Sequence, residues 1–261
     1  MQELQIGGTR GLIMQTRKLG ASDLNVSVVG LGCNNFGARL DLEATRKVVS
    51  RALDTGITLF DTADIYGEHG GSETQLGEAL GARRKDIVLA TKFGMEMGGD
   101  KKGAKRGYIM QAVEDSLRRL KTDWIDLYQL HRPDPSTPIE ETLRALDDLV
   151  TAGKVRFIGC SNLPAWQVVD SLWISKVNAL ARFATCQDEY SLLVRAPERE
   201  LLPAMSTKGL SLLPYFPLAS GLLTGKYRRG VTPGKDTRLG ATSRFNDHYL
   251  TPHNWDLVEK L

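Results

Sequence analysis

Residues 124–160 read WIDLYQLHRPDPSTPIEETLRALDDLVTAGKVRFIGC, and this stretch decides the fold class. It opens with Trp124–His131, a nearly continuous apolar run of the kind found in parallel strands that are buried on both faces. A second apolar run, Val155–Cys160, ends the stretch. Between the two runs lies a helical pattern whose apolar side chains share one face, namely Ile139, Leu143, Leu146 and Val150. The stretch therefore predicts a strand–helix–strand unit.

The same alternation of apolar runs and amphipathic segments continues on both sides of this unit. Strict alternation predicts one parallel sheet covered by helices. Near the N-terminus, Met14–Leu19, then Gly20 and a return from Val26 predict a hairpin across the floor of that sheet. The seven predicted parallel strands are Val26–Leu31, Ile57–Asp61, Ile87–Lys92, Trp124–His131, Val155–Cys160, Phe183–Gln187 and Leu210–Tyr215.

A parallel sheet of this kind either stays open or closes into a barrel. Open dinucleotide-binding sheets carry a G-x-G-x-x-G fingerprint after their first strand. The nearest match here starts at Gly30 and has Asn35 where the third glycine belongs, which favours the barrel. We therefore predict a (β/α)8 TIM barrel that forms one domain over residues 1–261. No eighth strand is recognisable after Tyr215, so the barrel is predicted to be truncated before that strand.

Composition excludes several classes of function. The 261 residues are 41% hydrophobic and 25% charged, and the net charge of +3 is too small to predict a nucleic-acid partner. No apolar run approaches the roughly 18 residues of a membrane span, and Met1–Arg10 lacks the apolar core of a signal peptide. The four histidines show no metal-ligand spacing. Three widely separated cysteines predict reduced thiols in a cytoplasmic protein: Cys33, Cys160 and Cys186.

Polar residues follow every predicted strand. Because the carboxyl ends of parallel barrel strands meet at one face, and reactive groups of such barrels lie there, these residues predict a shared site. They are Cys33 and Asn34, Asp61 with Tyr66, Lys92, His131, Ser161 and Asn162, Gln187, and Tyr215.

Four of these residues form a chemically meaningful set. A tyrosine hydroxyl titrates near pH 10 and is a poor acid at neutral pH. An ammonium group at Lys92 would lower the pKa of Tyr66, and a carboxylate at Asp61 would keep that lysine charged. Tyr66 could then protonate a carbonyl oxygen. His131 could orient that oxygen or relay the proton to it. Taken singly, each residue also suits an ordinary role in capping, ion pairing or packing, but four at three successive strand exits favour catalysis.

The chain resembles the aldo-keto reductase family in an ordered set of motifs. The matching stretches are DTADIYG at 61–67, ATKFG at 90–94, DLYQLHRPD at 126–134, GCSN at 159–162, QDEYSLL at 187–193 and PLASGLLTGKY at 217–227. Within the family, the form Leu-His-Arg-Pro-Asp at 130–134 is most similar to bacterial and plant enzymes related to potassium-channel β subunits.

The resemblance implies an NADP(H)-dependent enzyme that reduces aldehydes and ketones, its small-molecule partners, by hydride transfer. It implies that Tyr66 donates the proton, that Asp61 and Lys92 adjust the pKa of this tyrosine, and that His131 orients the substrate. It also implies that Ser161, Asn162 and Gln187 hold the nicotinamide carboxamide and that Tyr215 stacks on the ring. The other implied cofactor-binding residues are Gly32, Cys33, Asn34, Phe216, Pro217, Leu218, Gly221, Lys226 and Arg238.

The sequence also departs from the family pattern. Cys33 stands where threonine is common, Asn34 where tryptophan or methionine is common, and Phe216 where a serine usually lies near the diphosphate. The family's last strand, last helix and the loop that grips the adenosine 2′-phosphate are not recognisable here. A preference for NADP therefore rests on the resemblance alone, and NAD is not excluded.

Three functions remain compatible with these residues. The first is a carbonyl reductase, which the complete set of four catalytic candidates favours. The second is a non-catalytic, cofactor-binding regulatory protein like the channel β subunits, which the missing C-terminal unit favours. The third is a lyase or aldolase that forms a Schiff base at Lys92, although the predicted carboxamide-binding residues would then have no role.

Overall fold

The computed structural model describes residues 14–241 and 245–261, so the expectation about Met1–Arg10 lies outside the described residues. The strands are β1 Thr16–Lys18, β2 Asn25–Ser27, β3 Gly30–Gly32, β4 Leu59–Asp61, β5 Val88–Phe93, β6 Ile125–Leu130, β7 Val155–Ser161, β8 Phe183–Glu189 and β9 Ser211–Tyr215. The helices are α1 Leu42–Asp54, α2 Tyr66–Leu80, α3 Arg106–Leu120, α4 Ile139–Thr151, α5 Ala165–Val177, α6 Leu201–Lys208, α7 Arg238–Ala241, α8 Asn246–Tyr249 and α9 Pro252–Val258.

Strands β3 to β9 form one parallel sheet in chain order, as predicted. The sheet is curled into a barrel wall. Gln187 of β8 donates from Nε2 to Asp61 Oδ1 of β4 at 3.1 Å, although three strands lie between them. In a flat sheet those two strands would stand roughly 19 Å apart, since neighbouring strands are about 4.8 Å apart. Seven strands of the (β/α) barrel lie in the described part of the chain, with β3 and β9 at its edges.

The predicted hairpin is confirmed. Strands β1 and β2 pair antiparallel, with Arg17 opposite Val26. Its apolar side chains pack against the first residues of the parallel strands, in a cluster made by Leu19, Leu24, Val26, Leu59, Ala90 and Leu127. Gly20 makes this contact possible, because its φ is +54° and a Cβ there would lie 2.5 Å from the Ala184 carbonyl oxygen. The hairpin therefore covers the floor of the barrel and leaves the opposite face free.

The prediction of one strand over Val26–Leu31 is wrong. Ser27 ends β2, and its hydroxyl donates to the Val29 carbonyl oxygen at 2.6 Å and accepts from the Thr58 amide at 2.9 Å. The chain turns there, and the barrel strand β3 starts only at Gly30. The run contains two short strands because its first half pairs with the hairpin and its second half with β4.

The helices bury one face each against the sheet. In α4, Leu143 and Leu146 are fully buried, and each such leucine contributes about 1.5–3 kcal/mol relative to an exposed one. The α3 residues Ile109, Val113 and Leu120 lie in the core in the same way. Helix α1 begins at an Asp41 cap, whose carboxylate accepts from the Ala44 amide at 2.8 Å. Within the described ranges, none of the helices is both long and apolar enough to span a membrane.

Candidate active site

Asp61 and Lys92 form a buried ion pair where β4 and β5 end. Lys92 Nζ donates to Asp61 Oδ2 at 2.6 Å and to the Thr62 carbonyl oxygen at 2.8 Å. The lysine side chain is completely buried, so its charge needs this partner. Burial alone would lower the pKa of Lys92, but Asp61 and Tyr66 outweigh burial and raise it. Lys92 is therefore an ammonium ion at neutral pH.

Tyr66 lies over this pair at the start of α2. The centre of its ring is 5.1 Å from Lys92 Nζ and 5.7 Å from the centre of the His131 ring, which stands perpendicular to it. Burial raises the pKa of Tyr66 more than the Lys92 ammonium lowers it. The expected net lowering of this pKa is therefore wrong for the protein alone, because desolvation of the phenolate dominates. Tyr66 is fully protonated at neutral pH, the state that a proton donor requires.

An irregular turn connects Tyr66 to the regular part of α2. Four successive residues after the tyrosine have positive φ: Gly67, Glu68, His69 and Gly70. A Cβ at Gly67 would lie 2.4 Å from the Ser72 amide nitrogen, so only glycine fits there. Glu68 and His69 adopt the left-handed conformation at an energetic cost, a feature that is common at functional sites. The turn places the tyrosine at the barrel mouth instead of on a regular helix face.

His131 follows β6 and reaches the same site. Its amide donates to the Phe93 carbonyl oxygen at 2.9 Å, which ties the β6 exit to the β5 exit. Burial, together with the positive charges of Lys92 and Arg132, lowers the pKa of His131 to about 3. Its Nδ1 is buried and has no hydrogen-bond partner in the described part of the chain. The ring is thus a neutral imidazole that can bind an oxygen atom without carrying charge.

Gln129 is a site residue that the sequence reasoning missed. It is fully buried in β6 and donates from Nε2 to Asp61 Oδ1 at 3.2 Å. Gln187 donates to the same oxygen, so both oxygens of the carboxylate have partners. The available signal was an amide near the end of the strand, two residues before His131 and so on the same face.

Two of the predicted carboxamide-binding residues, Ser161 and Asn162, come together with Tyr215, while the third, Gln187, bonds to Asp61. Asn162 Nδ2 donates to the His131 carbonyl oxygen at 3.0 Å and to Ser161 Oγ at 2.9 Å. The Tyr215 hydroxyl donates to Asn162 Oδ1 at 2.8 Å. Burial, followed by the nearby carboxylates, raises the pKa of Tyr215 to about 12, so this hydroxyl stays a donor. These bonds fix an amide, a hydroxyl and an aromatic ring next to the catalytic candidates.

The segment after β9 carries two cations, of which Arg238 lies at the edge of the site. The Arg238 guanidinium lies 4.8 Å from the centre of the Phe216 ring, which itself meets the Tyr215 ring edge-on at 5.2 Å. Its Nε is buried and unpaired among the described residues. Lys226 packs on Gly221, where a Cβ would lie 2.8 Å from Lys226 Cε. The backbone of Pro217 and Leu218 leads into this turn, and the Leu218 side chain is exposed.

The first strand exit contributes backbone more than side chains. Gly32 pairs with Asp61, and the Cys33 amide donates to the Asp61 carbonyl oxygen at 2.8 Å. The Cys33 side chain is fully buried in an apolar cluster with Phe36, and burial raises the pKa of its thiol. The thiol lies close enough to Asp61 and Lys92 to interact with their charges, so a cofactor contact by Cys33 stays a prediction. Asn34 is only partly buried at the same exit.

Comparisons with known proteins find relatives in one family. Residues 28–261 match the model of the aldo/keto reductase family. A probable voltage-gated potassium channel subunit beta of Oryza sativa subsp. japonica is 37% identical over 94% of this chain and 75% of its own length. An aldo-keto reductase of Bacillus subtilis is 37% identical over 86% of this chain and 69% of its own length. The holo form of an aldo-keto reductase from Bacillus halodurans superimposes with a TM-score of 0.75 and 37% identity, covering 86% of this chain and 74% of that one.

Proposed function

This chain belongs to the aldo/keto reductase family of oxidoreductases, and we propose that it is an NADP(H)-dependent enzyme that reduces aldehydes or ketones to alcohols. One observation carries the proposal. A protonated Tyr66 lies over a buried Lys92 ammonium, which is bonded to Asp61 at 2.6 Å. Packing alone does not account for a buried charge pair that opens toward a phenol and a neutral imidazole.

In the proposed reaction, each of the four residues has a separate task. The bound cofactor supplies the hydride that reduces the carbonyl carbon. Tyr66 donates its proton to the carbonyl oxygen, and Lys92 stabilises the phenolate that remains. Asp61 keeps Lys92 charged and in position. His131, which is neutral, accepts or donates one hydrogen bond to the substrate oxygen and so orients it.

The described residues fit a nicotinamide dinucleotide. Ser161, Asn162 and Gln187 carry the donors and acceptors that a carboxamide needs, and Tyr215 offers a ring face. A carboxamide would exchange with the bonds that these side chains make to His131, Tyr215 and Asp61. The buried Nε of Arg238, which has no partner among residues 14–241 and 245–261, and the ammonium of Lys226 suit a diphosphate. A preference for NADP over NAD comes from the family resemblance. The three free, buried cysteines support the proposal of a cytoplasmic location.

The two other functions are less well supported. A Schiff-base lysine needs a lowered pKa to be a nucleophile, whereas Asp61 and Tyr66 raise the pKa of Lys92. A regulatory role is compatible with the fold and the proposed cofactor site, and the Oryza sativa relative is named as a probable channel subunit. It gives no reason for a complete proton-donating set, so we favour the enzyme.

Loss of NADPH absorbance in the presence of 4-nitrobenzaldehyde tests the proposal. We expect turnover in the wild type and a kcat about 10²–10⁴-fold lower in Tyr66→Phe. Quenching of tryptophan fluorescence should show that both proteins bind the cofactor. Cofactor binding without turnover in the wild type would support the regulatory function. Turnover without nicotinamide, trapped at Lys92 by borohydride, would support the lyase.

A further inference from the structure

A second buried polar cluster lies behind the catalytic loop, between β5, α2 and α3. Glu73 of α2 is fully buried, accepts from the Thr91 hydroxyl at 2.6 Å and accepts from Arg119 Nε at 2.7 Å. Asp64 is 1% exposed and accepts from the Tyr108 hydroxyl at 3.2 Å. The proposed reaction uses none of these side chains. Burying two carboxyl groups is costly, so the cluster needs an explanation.

Asp64 belongs to the loop 62–66, which links the catalytic carboxylate to the catalytic tyrosine. Lys92 holds this loop twice, since Nζ donates to the Thr62 carbonyl oxygen at 2.8 Å and its own carbonyl accepts from the Asp64 amide at 3.0 Å. On the opposite side, the Asp64 carboxyl bonds to Tyr108 of α3. The loop is therefore clamped between β5 and α3, and Tyr66 follows two residues after the clamp.

The charges around Asp64 do not balance if it ionises. The groups that face it are Glu73 from α2, Tyr108 and Arg119 from α3, Tyr128 from β6 and Lys92 from β5. Arg119 is bonded to Glu73, and Lys92 is bonded to Asp61. Burial, and then Glu73, raise the pKa of Asp64 to about 7. At lower pH the cluster contains the Arg119–Glu73 ion pair and a neutral Asp64 carboxyl. At higher pH the ionised Asp64 adds a second buried negative charge.

We propose that Asp64 is a positioning residue, whose uncharged carboxyl, held by Tyr108, keeps the loop 62–66 and with it Tyr66 in place over Lys92. Loss of the Asp64 proton strengthens the bond from Tyr108 but places a second buried negative charge beside Glu73. Repulsion and the cost of burying this charge then shift the loop and withdraw the tyrosine from its working position. The inference rests on the proposed function for its effect on rate. The clamp itself rests on the contacts given above.

Two substitutions separate the neutral side chain from the charge. Asp64→Asn keeps the shape and an acceptor for Tyr108 but cannot ionise, and Asp64→Ala removes the clamp.

We expect the wild-type kcat to fall above about pH 7. Asp64→Asn should match the wild-type kcat within about twofold at pH 6 and lack that fall. Asp64→Ala should have a kcat at least about tenfold lower throughout, with KM for NADPH within about twofold. Asp170→Asn, at an exposed carboxyl on α5, is the control and should keep the wild-type profile.

A measurement without turnover keeps this inference separate from the proposed function. The ¹³C-labelled tyrosine resonance of residue 66, assigned by its loss in Tyr66→Phe, should shift between pH 6 and 8 in the wild type and not in Asp64→Asn. The pKa of Asp64 is raised in the folded state, so its contribution to stability is lost as the pH rises from about 4 to 7. This loss should occur in the wild type and not in Asp64→Asn. The urea midpoint of Asp64→Asn should therefore rise relative to the wild type over that range.

Each result has a definite meaning. An Asp64→Asn enzyme with the wild-type alkaline fall, or an Asp64→Ala enzyme with wild-type kcat, overturns the positioning role. If the wild type reduces no carbonyl, the proposed function fails and the resonance of residue 66 decides the inference. A resonance that shifts equally in the wild type and in Asp64→Asn overturns it.

Discussion

The barrel holds a buried aspartate–cation pair at each end, and the two pairs differ in what surrounds them. At the floor, Asp126 bonds to Arg84 at 2.9 Å, to Arg156 at 3.0 Å and to the Leu89 amide at 3.0 Å. At the mouth, Asp61 bonds to Lys92, and its side chain is 19% exposed. The floor carboxylate is thus enclosed by structural donors, while the mouth pair opens toward a phenol.

The difference shows that burial of an ion pair does not by itself decide whether the pair serves stability or rate. The floor pair uses arginine, whose several donors suit a fixed network, and the Arg84 guanidinium also stacks 4.5 Å from the Trp124 ring. The mouth pair uses lysine, a compact charge placed 5.1 Å from the centre of a tyrosine ring. We therefore expect changes at the floor to affect stability and changes at the mouth to affect rate, in line with the two ends of such barrels.

The largest expected effect is a fall in kcat caused by a substitution at the mouth of the barrel. Tyr66→Phe should lower kcat by about 10²–10⁴-fold because it removes the proposed proton donor. The free energy of unfolding should change by no more than about 1 kcal/mol, since the ring still packs on His131 and only a hydroxyl is removed. Steady-state kinetics and urea unfolding check the two parts. A variant that keeps wild-type kcat would show that the mouth pair is structural too.

The matching change at the floor should do the reverse. Arg84→Met removes one partner of a carboxylate that is nearly fully buried, and should destabilise the fold by about 3 kcal/mol. For the enzyme that remains folded, kcat should stay within about twofold of the wild type. Urea unfolding and kinetics at a permissive temperature measure both. A large fall in kcat without loss of stability would contradict the division between the two ends.

The neutral imidazole at the mouth predicts a pH effect on stability. The pKa of His131 in the folded state is about 3, below the ordinary 6.5, so the unfolded chain takes up this proton first as the pH falls. The stabilising contribution is complete above about pH 6.5 and is lost toward pH 3. Between pH 7.5 and 5 the wild type should lose about 2 kcal/mol more than His131→Asn. Equal losses in the two proteins would mean that the imidazole is charged in the fold.

The smallest expected effect concerns the donors around Asp61. Gln129→Met removes one of its two amide donors and leaves Gln187 and Lys92 in place. We expect a loss of about 1.5 kcal/mol in stability and a fall in kcat of about threefold, since hydrogen bonds to charged groups contribute about 1.5–3 kcal/mol. Urea unfolding and kcat measure these effects. A larger effect on kcat than that of Tyr66→Phe would reverse the assigned order.

Much of the fold and most of the site could be predicted because strands and their exits are local patterns. The run Trp124–His131 and the return at Val155 are visible in the sequence, and the polar residue after each strand follows from them. The end of β2 could not be predicted, because Ser27 turns the chain through a bond to Thr58, 31 positions away. Gln129 was missed because its partner, Asp61, lies 68 positions earlier.

The sequence by itself determined the order of strands and helices, the barrel, and the presence of a tyrosine, a lysine, an aspartate and a histidine at neighbouring strand exits. Only the tertiary structure decided the protonation states of these groups and the clamp around Asp64. Both depend on burial and on distances between side chains far apart in the chain. Desolvation thus raises the pKa of Tyr66 and lowers that of His131, in amounts that no local pattern encodes.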